Sequence, residues 1–241
     1  MVDYATLPGG IYMGSDGDEV VDADTLFSPG VFDNLILTFG GNDYVTGRNG
    51  NDTILLGEGN DTALGGQKDD VLLGEAGDDM LVGGQGKDTL VGGSGNDLLD
   101  AGDGHDLVDG GDGDDAIYGG DGHDLLYGGA GNDLIAGGEG HDTLIGGAGD
   151  DTLIADAGKD VFVFESGFGK DVVLGFQKGQ DKLEIEAGIN GLAITKASDV
   201  VAYIGGSAAS PTITLGSDTI QLVGVSKDDL IAHINNYVKI V

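Results

Sequence analysis

The hydrophobic and polar positions of the chain repeat with a nine-residue period from residue 38 to residue 163. Fourteen nonapeptides follow one another there without an insertion, and GGQGKDTLV, residues 83–91, is a typical unit. Position 6 is always Asp, position 4 is Gly except at Lys68, and position 8 is always apolar. The position-8 residues are Val45, Ile54, Ala63, Leu72, Leu81, Leu90, Leu99, Val108, Ile117, Leu126, Ile135, Leu144, Leu153 and Phe162. A fixed internal period predicts a stacked repeat architecture.

Each unit is expected to divide into a turn of about six residues and a strand of about three. Glycine supplies the positive φ angles of the turn without steric strain, and the closing triplets favour β structure. Since side chains alternate along a strand, only position 8 is expected to point inward. One inward side chain per unit forms no core by itself, whereas two units per coil, stacked on the next coil, do. The pattern therefore predicts an all-β fold, a parallel β-roll.

Stacking brings the position-6 Asp residues together on the two edges of this roll. Every second Asp lies one strand spacing, about 4.8 Å, from the next, so that seven carboxylates line each edge. At an effective dielectric constant near 20, each adjacent pair repels by about 3 kcal/mol. The total stability of a domain is only about 5–15 kcal/mol, so the bare roll is not expected to fold. Carboxylates and backbone carbonyls are hard oxygen ligands, which suit Ca²⁺ as the counter-ion.

The overall composition narrows the functional classes. The chain has 43 acidic and 10 basic side chains, a net charge of −33 and no Cys. This acidity argues against nucleic acid and anionic membrane surfaces as partners, and the absence of Cys excludes disulfides and thiolate chemistry. No apolar run approaches the roughly 20 residues of a membrane span, and the opening MVDYATLPGG does not predict a signal peptide. Neither an HExxH helix nor a G-x-S-x-G elbow is present, so the chain is not expected to be an enzyme.

The nonapeptides resemble those of the RTX family, the hemolysin-type calcium-binding repeat proteins, whose motif reads GGxGxDxUx with U a large apolar residue. The resemblance implies a right-handed parallel β-roll in which Ca²⁺ lies between the turns of successive coils, held by two position-6 Asp side chains and by loop carbonyls. The first column of implied ligands is Asp43, Asp61, Asp79, Asp97, Asp115, Asp133 and Asp151. The second column is Asp52, Asp70, Asp88, Asp106, Asp124, Asp142 and Asp160.

Seven turns on each edge leave six gaps, which implies about twelve Ca²⁺ ions. Residues 38–163 carry 27 acidic and 4 basic side chains, so their balance of −23 nearly matches the charge of about twelve Ca²⁺ ions. Lys68 adds a positive charge beside one turn, and the sites involving Asp70 are therefore expected to bind weakly. The first and last units, TFGGNDYVT and ADAGKDVFV, lack the leading Gly pair.

Two flanks enclose the repeat array, which occupies residues 38–163. Residues 1–37 are interpreted as an N-terminal cap, in which GSDGDEVVD is a degenerate unit with Glu19 at the Asp position. Residues 164–241 are interpreted as a C-terminal cap with strand-like runs, a hairpin at ITLGSDTIQLVGV, a short helix at KDDLIAHINNY and a final VKIV strand. The hairpin turn is expected at Gly216 and Ser217. This flank is similar to the C-terminal capping and type I secretion segment of RTX proteins, including the serralysins and lipases.

The leading hypothesis is a secreted calcium-binding module whose folding is triggered by the ion. It would be unfolded in the cytoplasm, pass through a type I exporter, and fold outside the cell or at the bacterial cell surface. A second hypothesis is a carbohydrate-binding or adhesin module, which an elongated positive groove or an exposed row of aromatic residues would favour, and Tyr118 and Tyr127 are slight evidence for such a row. A third is the C-terminal part of a secreted epimerase, lipase or protease whose catalytic domain lies upstream.

Two further patterns leave alternatives open. His105, His123 and His141 all occupy position 5, so that they stack on one edge, where they could bind Zn²⁺, sense pH or simply be solvated. The outward positions 7 and 9 are rather apolar, and they are either covered by the flanks or form a binding or self-association face. Their apolar members include Val71, Leu73, Leu98, Leu107, Leu125, Tyr118 and Tyr127.

Overall fold

The computed structural model describes the backbone of residues 5–7 and all atoms of residues 10–23 and 33–241. The remainder of the expected N-terminal cap lies outside the described residues. The first strands are β1 (Ala5–Leu7), β2 (Ile11–Met13) and β3 (Val20–Asp22). The strands of the nonapeptide frame are β4 (Leu35–Gly40), β5 (Tyr44–Asn49), β6 (Thr53–Glu58), β7 (Thr62–Gln67), β8 (Val71–Ala76), β9 (Met80–Gly86), β10 (Thr89–Ser94), β11 (Leu98–Gly104), β12 (Leu107–Asp112), β13 (Ala116–Gly122), β14 (Leu125–Ala130), β15 (Leu134–Gly140), β16 (Thr143–Ala148), β17 (Thr152–Ile154), β18 (Ala157–Gly158) and β19 (Val161–Phe164).

The C-terminal flank contains both strands and short helices. Its strands are β20 (Lys170–Leu174), β21 (Lys182–Ile185), β22 (Ile204–Gly206), β23 (Pro211–Leu215), β24 (Asp218–Leu222) and β25 (Val238–Ile240). Its helices are α1 (Ala197–Val200), α2 (Lys227–Ala232) and α3 (Ile234–Tyr237), with 3₁₀ turns at Ile189–Gly191 and Val201–Tyr203. Within the described residues, no helix has the length and apolar character needed to cross a membrane.

The described strands form two sheets of 12 and 13 strands. Sheet 1 has the order β1-β2-β4-β6-β8-β10-β12-β14-β16-β19-β21-β25. Sheet 2 has the order β22-β23-β24-β20-β17-β15-β13-β11-β9-β7-β5-β3, and its thirteenth strand, β18, pairs with β15 beside this path. Pairing in the array is parallel with an offset of 18 residues, so that Leu90 lies between Leu72 and Val108. Two nonapeptides therefore make one coil, and the predicted parallel β-roll is confirmed. Antiparallel pairs occur at the ends, between β1 and β2 and within β22, β23 and β24.

The core is a thin layer of side chains between the two sheets. Every position-8 residue of the array is fully buried, as predicted. The expectation that only position 8 points inward is wrong, because Leu56 and Ala101 at position 1 are also fully buried. Strands β4 to β16 are six or seven residues long rather than three and continue through position 3 of the next unit, which keeps the alternation going. Positions 6, 8 and 1 consequently share the inner face.

The ladders continue past both ends of the nonapeptide frame. Strand β20 pairs in parallel with β17, and β21 pairs in parallel with β19. Two residues inserted after Val163 and one inserted at Gly175 shift the frame, so that SGFGKDVVL (residues 166–174) and FQKGQDKLE (residues 176–184) form two further turns. At the other end, β2 pairs in parallel with β4, and β3 pairs in parallel with β5.

The C-terminal flank has the predicted local elements. The β23–β24 hairpin pairs Leu215 with Asp218, which places Gly216 and Ser217 in its turn, and β25 is the final strand. The expected helix is split into α2 and α3 at His233, whose φ of −121° and ψ of 22° are not helical. Two aromatic contacts close the end of the roll. The ring centroids of Phe162 and Phe176 lie 6.2 Å apart, and those of Phe176 and Tyr237 lie 5.7 Å apart.

Candidate metal centre

The fourteen predicted Asp residues form two continuous hydrogen-bonded columns. In each column the backbone N–H of one Asp donates to Oδ1 of the Asp 18 residues later, at N···O distances from 2.7 Å to 3.1 Å. The first column runs from Asp43 to Asp151 and the second from Asp52 to Asp160. The structure thus brings together the two predicted sets, one on each edge of the roll.

The second carboxylate oxygen of each column Asp is buried without a donor. All fourteen residues are at most 3% exposed. Within the described chain, Oδ2 of every one of them has no hydrogen-bond partner. Burial of an unpaired carboxylate costs several kcal/mol, and the same cost recurs at every turn. The two rows of Oδ2 atoms therefore require either a bound cation or a bound proton.

Backbone carbonyl oxygens share the space around these Oδ2 atoms. A Cβ placed on Gly65, at position 1, would overlap Oδ2 of Asp70 and lie 2.8 Å from the carbonyl oxygen of Gly83 on the next coil. At Gly92 the corresponding neighbours are Oδ2 of Asp97 and a carbonyl oxygen of the next coil. Position-1 glycines leave free a space that a side chain would fill, lined by carboxylate and carbonyl oxygens.

This all-oxygen donor set fits Ca²⁺, which takes six to eight oxygen ligands in flexible geometry. Within the described residues, no three or more His, Cys, Asp or Glu side chains converge on a common metal position.

The electrostatics of the columns favour a bound cation or a bound proton. Burial, together with the charges of neighbouring carboxylates, raises the pKa of Asp70 and of Asp115 to about 7, against the opposing effect of the backbone hydrogen bond that each accepts. Burial also raises the pKa of Asp52, to about 6, against the opposing effect of the hydrogen bonds from Asn34. The exposed Lys68 does not interrupt the second column, since the N–H of Asp52 lies 2.7 Å from Oδ1 of Asp70. Weak binding beside Lys68 remains a prediction.

Position 5 forms a second ladder on the outside of the turns, except that the ammonium group of Lys87 cannot accept from the following coil. The backbone N–H of one position-5 residue donates to the side chain of the position-5 residue one coil earlier, as from Asn60 to Oδ1 of Asn42 at 2.9 Å. The repeat pattern did not predict this role of position 5. The signal for it is the excess of Asn and Asp, which offer a short side-chain acceptor.

The three histidines belong to this outer ladder. Their rings stack as predicted, with centroids 4.9 Å apart for His105 and His123 and 4.8 Å apart for His123 and His141. Nδ1 of His105 accepts from the N–H of His123, and Nδ1 of His123 accepts from the N–H of His141. In a neutral ring whose Nδ1 accepts, Nε2 carries the proton and is not a metal ligand. The rings of His105 and His123 therefore serve the ladder in this geometry and do not present a free nitrogen to a metal ion.

Four polar residues extend the columns beyond the predicted set. Oδ1 of Asp43 accepts from the N–H of Glu19, and Oδ1 of Asp52 accepts from Asn34. At the other end, Asp171 and Asp181 accept from the backbone of the last Asp in the first and second column, respectively. Asn34, Asp171 and Asp181 were missed because Asn breaks the Asp pattern and because insertions shift the C-terminal frame.

Comparison with known families decides the identity of the repeats. The profile of the RTX calcium-binding nonapeptide repeat matches residues 30–54, 55–90, 82–117, 91–126, 100–135, 109–144, 127–162 and 136–173. These overlapping segments cover more than half of the chain. The chain belongs to the RTX calcium-binding nonapeptide repeat family. The RTX match extends beyond residue 163 at its C-terminal end, in agreement with the continuing ladders.

Other comparisons add little to the RTX assignment. No curated protein sequence matches the chain. The extracellular lipase LipA from Serratia marcescens aligns over 86% of this chain and 45% of its own length, with 20% identity and a TM-score of 0.46. The AlgE6R3 subunit of the mannuronan C5-epimerase from Azotobacter vinelandii aligns over 69% of this chain and 79% of its own, with 25% identity and a TM-score of 0.25. The chain thus spans less than half of the lipase, and neither similarity bears on its function.

Proposed function

We propose that the chain is an exported, non-catalytic module whose β-roll folds when Ca²⁺ binds between its coils. The observation that carries this proposal is the double row of fourteen buried Oδ2 atoms, none with a hydrogen-bond partner in the described structure. The fourteen Asp residues of the two columns are the ligands. The two edges have six gaps each and together hold about twelve ions.

Bound Ca²⁺ supplies the positive charge that lets two carboxylates of successive coils stay ionised side by side. The Asp residues contribute the rest of the design. Each Oδ1 accepts a backbone N–H and so fixes the carboxylate orientation, while each Oδ2 remains available to a cation. Because every interior Asp borders two gaps, a filled gap orients one ligand of the next gap. Binding free energy is then also folding free energy.

The proposal divides the chain into a repeat array at residues 38–163 and a cap at each end, residues 1–37 and 164–241. The C-terminal cap also carries the signal for a type I exporter. At the low Ca²⁺ concentration of a cytoplasm the array stays unfolded and threads through the exporter, and outside the cell Ca²⁺ folds it. Repulsion within the acidic columns supports the first half of this cycle, since about 3 kcal/mol per adjacent pair opposes folding without the ion.

The test is far-UV circular dichroism of the full chain during a Ca²⁺ titration, with Mg²⁺ as the matched control ion. We expect a largely disordered spectrum in EDTA, a cooperative gain of β structure with Ca²⁺, and no comparable gain with Mg²⁺, which demands a tighter octahedral site. Site affinities are expected at about 10⁻⁴ to 10⁻³ M, as in extracellular modules. An unchanged spectrum in EDTA or nanomolar binding would contradict the switch.

A second candidate function, polysaccharide binding, is favoured by one observation on the outer faces. Tyr118 is 41% exposed and Tyr127 is 37% exposed. Each lies beside an Asp on the neighbouring coil, Asp100 and Asp109. Affinity electrophoresis through gels containing neutral or anionic polysaccharides tests this candidate in Ca²⁺. Polysaccharide binding is supported if the chain is retarded and if this retardation is lost when both Tyr118 and Tyr127 are replaced by Ala but kept when the exposed Tyr44 is replaced. Equal mobility in all gels contradicts polysaccharide binding.

A further inference from the structure

Asp171 continues the first column one coil beyond the nonapeptide frame. The backbone N–H of Asp151 donates to Oδ1 of Asp171 at 3.1 Å, as within the array. The outer ladder continues as well, because the N–H of Lys170 donates to Oδ1 of Asp150 at 3.0 Å. Gly169 forms a parallel bridge with Gly149. Positions 4, 5 and 6 of the turn are thus reproduced by residues outside the frame.

The carboxylate of Asp171 has the same unmet requirement as those of the array. Its side chain is 1% exposed, and its Oδ2 has no hydrogen-bond partner among the described residues. Oδ2 of Asp151, on the coil below, is equally buried and unpartnered. The nearby Asp218 offers no compensation, because Asp218 is itself a carboxylate and its Oδ2 accepts from the N–H of Gly167 and from Nδ2 of Asn190.

Asp181, at the end of the second column, differs in one contact. Its Oδ1 accepts from the N–H of Asp160 at 3.0 Å, as the column requires. Its Oδ2 accepts from the N–H of Gln177 at 2.6 Å, so that both oxygens are engaged. Gln177 is at position 2 of the Asp181 turn. The residue at position 2 of the Asp171 turn is Gly167, which has a φ of 88° and whose N–H donates to Asp218 and not to Asp171.

We propose that the gap between Asp151 and Asp171 is an additional Ca²⁺ site and that the gap between Asp160 and Asp181 is not. This inference rests on the proposed function of the array. The added site joins the array to the C-terminal flank, because β20, which carries Asp171, also pairs with β24 of the terminal hairpin. Ca²⁺ there would fasten the flank to the last coil of the first column.

The experiment compares Asp171→Asn with Asp181→Asn in the full chain. Asn keeps the Oδ1 acceptor for the backbone and removes the charge in both variants. Native mass spectrometry at saturating Ca²⁺, after circular dichroism has shown β structure, counts the bound ions. We expect Asp171→Asn to hold one ion fewer than the unaltered chain and Asp181→Asn to hold the same number. An unchanged count for Asp171→Asn, or the loss of an ion from Asp181→Asn, overturns the assignment.

A measurement on the unaltered chain covers the case in which Asp171→Asn does not fold. Crystals grown with Ca²⁺ are expected to show an anomalous peak between Asp151 and Asp171 and none between Asp160 and Asp181. Peaks throughout the array without one at Asp171 refute this inference and leave the proposed function intact. Absence of Ca²⁺ from the whole array refutes the proposed function itself.

Discussion

Replacement of one interior ligand, Asp106→Asn, tests the sharing of carboxylates between gaps. Oδ1 of Asp106 accepts from the N–H of Asp88 at 2.7 Å, and the N–H of Asp106 donates to Asp124 at 2.8 Å. Asn keeps the first acceptor and removes the charge at Oδ2, so the substitution alters two gaps while preserving the shape of the turn. The column is otherwise unchanged.

The size of the effect follows from mass action. A site with a dissociation constant of about 10⁻⁴ M contributes about 2.7 kcal/mol of stability at a free Ca²⁺ concentration about 100-fold higher. Loss of binding in both gaps next to Asp106 therefore costs about 5 kcal/mol at about 10 mM Ca²⁺. Urea unfolding followed by circular dichroism at this Ca²⁺ concentration measures the loss.

The matched control is Asp114→Asn, which makes the same charge change at an exposed position-5 residue. Oδ1 of Asp114 accepts from the N–H of Asn132 at 2.7 Å, and Asn can also accept there. We expect a change within about 0.5 kcal/mol for this control. In EDTA the Asp106→Asn chain should have at least as much β structure as the unaltered chain, since repulsion with Asp88 and Asp124 is relieved. Equal losses for both variants, or a similar loss with and without Ca²⁺, would refute the sharing of ligands.

Three further outcomes are expected. In EDTA, the β structure measured by circular dichroism should decrease as the pH rises from about 4 to about 8. The reason is that the pKa values of Asp70 and Asp115, raised to about 7 in the folded state, make the folded state bind more protons than the unfolded state. An increase of β structure with pH would contradict this prediction. Truncation after Val163 removes the strands that continue both ladders, so it should raise the Ca²⁺ midpoint of folding and abolish export. An unchanged midpoint would contradict the capping role of residues 164–241. Asn132→Ala removes the side-chain acceptor of the Asp150 N–H, which should cost about 0.5–1.5 kcal/mol in urea unfolding with Ca²⁺, and no loss would make the outer ladder dispensable.

The nonapeptide period was sufficient to predict the coil, the burial of every position-8 residue and the stacking of the Asp residues in two columns, because a strict period fixes which residues stack. It could not predict that Leu56 is in the core, since the length of the strands depends on pairing between coils and not on one unit. The period also made Asp43 the first residue of its column. In the structure Glu19 lies one coil before Asp43 and donates its N–H to Asp43, although 24 residues separate the two instead of 18. Local spacing does not reveal pairing across an insertion.

The C-terminal columns show the same limit. Asp171 lies in SGFGKDVVL, which keeps the G-x-G-x-D spacing, so a search that allowed a two-residue shift would have found the turn. The difference between Asp171 and Asp181 was beyond the reach of sequence, because it depends on whether the backbone N–H of Gln177 points toward Asp181. Such a direction is set by the φ and ψ angles of the turn in its packed environment.

A coil of 18 residues built from units of nine gives the roll two kinds of length change. Removal of 18 residues shortens it by one layer and leaves each later residue on its own sheet. Removal of nine residues exchanges the sheets for everything that follows, so the β23–β24 hairpin would dock on sheet 1. If the nine residues lay between His105 and His123, His123 and His141 would also move to the edge opposite His105. The Asp columns and the buried position-8 residues tolerate that exchange because both edges use the same motif. The stacked histidines and the terminal hairpin do not, which makes even numbers of units the natural increment for this chain.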